Sequence, residues 1–209
     1  MTRDRSQSLT IISPKFAWPW RERSGAFSRF KAVVFAGLFW PAAMAAWALA
    51  FGPPVARPVM ETLHLAGRWA VYFLLISLVV TPLMEIFGWR RLVLARRMLG
   101  VAAFAYVALH VALYVLDQRF DLAKVAGEIA MRLYLTIGFA GFAILGALAA
   151  TSTDAMIRRL GAARWRALHR LAYGAIVIGV VHYMLQTKSD LWQPVLAAGM
   201  CLWLRGGRA

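Results

Sequence analysis

The feature that most constrains this chain is a recurrence of apolar stretches long enough to cross a lipid bilayer. A spanning helix needs about 20 mostly apolar residues. Such stretches lie at residues 32–51, 69–88, 98–116, 133–150 and 168–186. A sixth, 191–204, has only about 14 residues and would span through local thinning of the bilayer or snorkelling flanks. In lipid each backbone polar group must find its partner within the protein, so such stretches become helices. The expected fold is an all-α integral membrane protein, a bundle of about six transmembrane helices. Composition agrees: 61% of the 209 residues are hydrophobic and 16% are charged, against about 45–50% and 25% in a soluble domain.

The net charge of +15 would suggest nucleic acid in a soluble protein. Its distribution gives a different reading. Of the 24 Lys and Arg, 18 fall in the N-terminal arm, the 89–97 loop, the 151–167 loop with Arg170, and the C-terminal tail. The other six lie on the opposite side, where Glu61, Asp117, Asp121, Glu128 and Asp190 nearly neutralise them. This bias is the positive-inside rule, and it places both termini in the cytoplasm. The basic residues then meet lipid headgroups, and no nucleic-acid partner is implied. Residues 1–31 form a basic cytoplasmic arm, 32–204 the transmembrane domain and 205–209 a cytoplasmic tail. Ala48-Leu49-Ala50 resembles a signal-peptidase site. The arm and the apolar stretch before it are too long for a usual signal peptide, so the first helix is expected to stay uncleaved.

Cys201 is the single cysteine. Internal disulfides, Cys-ligated iron–sulfur clusters, Cys-based zinc sites and covalent c-type haem attachment are therefore excluded. No G-x-G-x-x-G or Walker-type phosphate loop occurs, and the membrane segments leave no length for a dinucleotide-binding domain. Redox or transport chemistry must take place within the membrane segments and draw on partners.

Four histidines remain: His64, His110, His169 and His182. Ionisable groups inside a bilayer are costly and usually functional. His110 in the third segment and His182 in the fifth lie at matching depth near the outer ends of two helices that run the same way. Neutral imidazoles so placed could bind a haem iron from both faces and leave no open site for oxygen. His169 lies 13 residues before His182, roughly 20 Å further in along the helix and about 140° around it. A second haem at that level would need tilt or a local distortion to bring both histidines to one cavity. The equivalent inner position on the third segment is Arg96, which cannot ligate iron. His64, at the outer start of the second segment, is a secondary candidate. Each histidine could instead bridge helices by hydrogen bonds, and His169 beside Arg166 and Arg170 could have a solvated structural role. Arg96 and Arg170 abut the histidine-bearing helices and are candidates for haem-propionate or flavin-phosphate contacts. Small residues such as Gly100, Ala103, Gly174, Ala175 and Gly179 suit close helix packing or a cofactor cavity equally.

Several runs carry a family resemblance. They are Thr81-Pro82-Leu83; Arg96-Arg97-Met98-Leu99-Gly100 with Ala108-Leu109-His110; Tyr134-Leu135-Thr136-Ile137-Gly138-Phe139; Thr151-Ser152-Thr153; and Leu168-His169-Arg170-Leu171 with His182-Tyr183. Together they resemble the MsrQ (YedZ) family of haem-binding membrane subunits, within the ferric-reductase-like transmembrane superfamily. The resemblance covers about residues 61–188. It implies b-type haem, one or two per chain, on His110, His182 and His169. It also implies FMN, electrons drawn from the quinone pool or a separate flavin reductase, and a bacterial inner-membrane location. The implied acceptor is a periplasmic molybdopterin-dependent methionine sulfoxide reductase that repairs oxidised proteins, so the catalytic step lies on that partner. Arg96 stands where the wider superfamily has an inner histidine. Two alternatives stay open: a stand-alone cytochrome b serving another acceptor such as a ferric chelate, and a haem-free transport or assembly factor.

Overall fold

A computed structural model describes residues 27–89 and 91–186. Most of the N-terminal arm, the sixth apolar stretch at 191–204 and the tail at 205–209 lie outside the described residues. The described chain forms eight α-helices: α1 (Arg29–Phe51), α2 (Pro58–Phe87), α3 (Leu92–Asp117), α4 (Leu122–Met131), α5 (Leu133–Ala150), α6 (Asp154–Leu160), α7 (Ala162–His169) and α8 (Leu171–Gln186). Five spans are long and apolar enough to cross a membrane: α1, α2, α3, α5 and the continuous Ala162–Gln186 stretch of α7 and α8. They correspond to the first five stretches read from the sequence, and the chain is a multi-pass membrane protein.

The boundaries differ where charge interrupts hydropathy. The second span starts at Pro58, well before residue 69. Pro58 takes the first helical position, where its missing N–H costs nothing, and the helix carries Glu61, His64 and Arg68 through its first three turns. It ends on Gly88, whose φ of 67° is the left-handed cap that glycine adopts freely. The fifth span is broken: α7 ends at His169, and the bonds Arg170 N–H to Ala167 O and Tyr173 N–H to Arg170 O tighten the turn at Arg170. The break does not bring His169 into the cavity that His182 lines.

Helix α2 packs along α3 and also meets α8, while α5 packs along α8 and also meets α3. The four make a ring in which α3 and α8 occupy opposite corners. Ala66, Ala70, Leu74, Ala103, Leu145 and Ala175 are buried within it. Small side chains at these points let the helix backbones approach, which is how helices associate without a hydrophobic drive. Helix α1 lies outside the ring, against α2 and α3. Its Phe39, Trp40, Trp47 and Phe51 are exposed, as lipid-facing residues must be. One polar pin holds it. Pro41 interrupts the hydrogen-bond ladder of α1. The Tyr106 hydroxyl of α3 enters there, accepting from Ala42 N–H at 3.0 Å and donating to Leu38 O at 2.9 Å. Backbone groups loosened by proline are thereby satisfied inside the apolar layer.

Helix α4 lies at the end of the bundle that the charge bias assigns outside. The Asp121 carboxylate caps it by accepting from Lys124 N–H at 2.9 Å. It turns Val125 inward and leaves Leu122 and Met131 exposed. At the opposite end Arg97 pairs with Asp154 at 2.6 Å, tying α3 to α6.

Candidate functional site

Each imidazole at the outer end of the ring is set by a glycine and a backbone carbonyl. His110 projects from α3, and its Nδ1 lies 2.9 Å from Leu63 O on α2. His182 projects from α8, and its Nδ1 lies 2.8 Å from Tyr134 O at the start of α5. A carbonyl only accepts, so in both rings Nδ1 carries the proton. In the neutral ring Nε2 then keeps its lone pair, the form that ligates a metal. The rings lie flat against helix backbone because glycine stands behind them. A Cβ on Gly67 would lie 3.0 Å from the His110 ring, and one on Gly138 would lie 2.7 Å from the His182 ring.

The two ring centroids are 6.2 Å apart, and the ring planes cross at 89°. That separation lies in the edge-to-face range of two rings and also matches the span a shared metal requires. A metal–nitrogen bond of about 2 Å on each side, with about 1 Å from each nitrogen to its ring centre, gives about 6 Å. No cluster of three or more His, Cys, Asp or Glu suited to a bare metal ion occurs among the described residues. A metal held here by two imidazoles must bring its other ligands with it, as the iron of a porphyrin does.

The space around the pair fits such a group. A cavity of about 1060 Å³ opens between the four helices, at the upper end of the usual range for a cofactor site. Its inner part is apolar, lined by Leu74, Val107, Phe142, Leu145 and Ala175. Its outer mouth is polar and includes Arg57, His64, Arg68, Asp117, Glu128 and Arg132. At the mouth the Tyr114 hydroxyl donates a short hydrogen bond to Glu128 Oε2. Arg132 reaches Glu128 Oε1 at 3.5 Å and the Tyr134 hydroxyl at 3.3 Å. The site therefore suits a flat ligand with an apolar body and an acidic edge turned outward.

His64 lines this mouth but stands outside the facing pair. His169 is elsewhere. It stacks on Trp165 with ring centroids 4.0 Å apart, and its Nε2 lies 3.3 Å from Thr151 Oγ1. Thr151 caps the far end of α5, which puts His169 roughly 25 Å along that helix from Tyr134. Neither Arg96 nor Arg170 is among the residues lining the cavity of His110 and His182. Of the small residues singled out in the sequence, Gly100 and Gly174 face open space, while Ala103 and Ala175 pack helix against helix. The glycines that shape the site are Gly67 and Gly138. The outer arginines, Arg57, Arg68 and Arg132, were also missed as site residues, because hydropathy leaves all three outside the apolar stretches.

Comparison with known proteins identifies the family. The family described as ferric reductase like transmembrane component matches residues 66–180. A Rhodospirillum rubrum protein named protein-methionine-sulfoxide reductase heme-binding subunit MsrQ is 47% identical over 146 residues, 69% of this chain and 70% of its own length. The Caulobacter vibrioides protein of the same name is 39% identical over 165 residues, 78% of this chain and 79% of its own length. That from Agrobacterium fabrum is 43% identical over 153 residues, covering 73% of this chain and 70% of its own length.

Proposed function

Because the chain belongs to the ferric-reductase-like transmembrane family, among the MsrQ heme-binding subunits, we propose a specific path for the electrons it carries. It takes them from the quinone pool across the bacterial inner membrane to a periplasmic, molybdopterin-dependent methionine sulfoxide reductase. The observation that carries the reading is the pair His110 and His182, two imidazoles whose ring centroids lie 6.2 Å apart.

Haem b held by His110 and His182 would supply reversible one-electron chemistry. The chain's own residues do the rest. Leu63 O and Tyr134 O fix the tautomer and direction of the two ligands. Such carbonyl partners also raise the ligands' basicity, which favours the ferric state. Leu74, Val107, Phe142 and Leu145 keep water from the porphyrin faces. With both termini cytoplasmic, this site lies near the periplasmic surface, where a partner's cofactor can approach its edge. His169, held by Trp165 and Thr151, marks the level of a second, inner haem. FMN belongs to this reading through the family resemblance only.

The test is electron delivery in proteoliposomes. Quinol should reduce the haem of the wild-type chain, and the periplasmic partner should reoxidise it in proportion to methionine sulfoxide turned over. His110→Ala and His182→Ala should abolish that flux. Flux to a ferric chelate with none to the partner would instead favour a stand-alone cytochrome b. A chain that purifies without haem would favour the transport or assembly reading.

A further inference from the structure

We propose that Arg68 binds a propionate carboxylate of the porphyrin, an inference that rests on the haem reading above. Arg68 is exposed at the outer mouth of the cavity, on a helix that spans.

Its position follows from its neighbours. Gly67 abuts the His110 ring, so Arg68 lies at the depth of the imidazole pair. One turn further in, Val71 Cγ2 lies 3.9 Å from where a Cβ of Gly179 on α8 would sit, so this face of α2 looks toward α8. Arg68 shares a small cleft with Val71, Tyr72 and Tyr183 on that seam, and it also lines the main cavity. It therefore stands beside the edge of any flat group held between His110 and His182, on the side of His182.

Its partners separate it from the other cations of the mouth. Arg57 pairs with Asp117 at 3.9 Å, and Arg132 with Glu128 at 3.5 Å. Arg68 forms no ion pair among the described residues. The apolar inner cavity directs a porphyrin's carboxylates outward, past Arg68. A guanidinium offers the planar, two-pronged donor set that a carboxylate takes. A lipid phosphate entering through the α2–α8 seam presents similar oxygens, and the experiment separates the two sources.

The full-length chain is purified, stripped, and reloaded with haem b or with its dimethyl ester, whose propionates are uncharged. Reduced spectra report the histidine pair, and redox titration reports the potential. Removing a cation beside the haem favours the ferric form. Arg68→Gln with haem b should keep the six-coordinate spectrum and shift the ferric-to-ferrous ratio about tenfold toward ferric, about 59 mV lower for one electron. Arg68→Lys should recover part of the shift. With the dimethyl ester, which no longer draws the guanidinium to the haem edge, the shift between wild type and Arg68→Gln should be smaller than with haem b. An unchanged potential in Arg68→Gln, or an equal shift with both haems, overturns the proposal and leaves Arg68 to a lipid phosphate. If Arg68→Gln does not fold, wild type and Arg68→Lys are compared instead, and a difference that persists undiminished with the ester overturns it likewise. Loss of the six-coordinate spectrum from the wild type would show instead that the haem reading had failed.

Discussion

Gly138→Ala is a single added methyl group directed at a haem ligand. The new Cβ would sit 2.7 Å from Cε1 and Nδ1 of His182 and 3.3 Å from its Cγ. Ordinary carbon contacts lie at about 3.5–4.0 Å, so the ring must retreat by about 1 Å. An imidazole is rigid, and this one is held by Tyr134 O at 2.8 Å; retreat breaks that bond and turns Nε2 off the line to His110. Disturbing a ligand's supporting shell typically costs 10–100-fold in metal affinity, about 1.4–2.7 kcal/mol. The loss cannot come from the helix, since alanine favours a helix over glycine by about 0.8–1 kcal/mol. The assay is haem per chain by pyridine haemochromogen, with the ferric spectrum as a report of spin state. Gly138→Ala should bind less haem and shift toward high spin. Gly67→Ala should do so more mildly, because its Cβ would stand 3.0 Å from His110. Full low-spin occupancy in Gly138→Ala, or a larger effect from Gly67→Ala, would refute the reasoning.

Three further outcomes follow. Tyr106→Phe removes the hydroxyl that bridges Leu38 O and Ala42 N–H. It should cost about 1 kcal/mol, read as a lower Tm in detergent with haem content unchanged; an unshifted Tm would show that α1 is not pinned there. Arg97→Ala cuts an exposed ion pair with Asp154, so less than about 1 kcal/mol should be lost, and the loss should fade at high salt. His169→Ala should leave the potential and spectrum of the outer haem in place, because Trp165 and Thr151 hold that ring apart from the cavity. Any fall in haem per chain would then report an inner haem.

The spans were legible because backbone satisfaction in lipid leaves few choices, and hydropathy reads the result. The stretch 133–150 coincides with α5. Hydropathy placed the start of α2 too late because it counts Glu61, His64 and Arg68 as loop, whereas here they edge a cavity mouth. The amphipathic α4 was invisible to a search for apolar runs, since a helix lying at the interface buries one stripe only. Matched depth singled out His110 and His182, because position along a spanning helix is encoded by residue count. Rotation about the helix is not: the break at Arg170 and the glycines behind each ring depend on which face meets a neighbour. Gly67 and Gly138 are therefore indistinguishable in the sequence from Gly100 and Gly174, which face open space.

The most direct test of the central claim is low-temperature electron paramagnetic resonance of the oxidised protein. Imidazole planes crossed at 89° leave the iron's two upright d orbitals nearly equal in energy, which gives a strongly anisotropic low-spin signal. The account predicts that signal in the wild type and in His169→Ala, and its loss in both His110→Ala and His182→Ala. Its persistence in either of the last two would contradict the account.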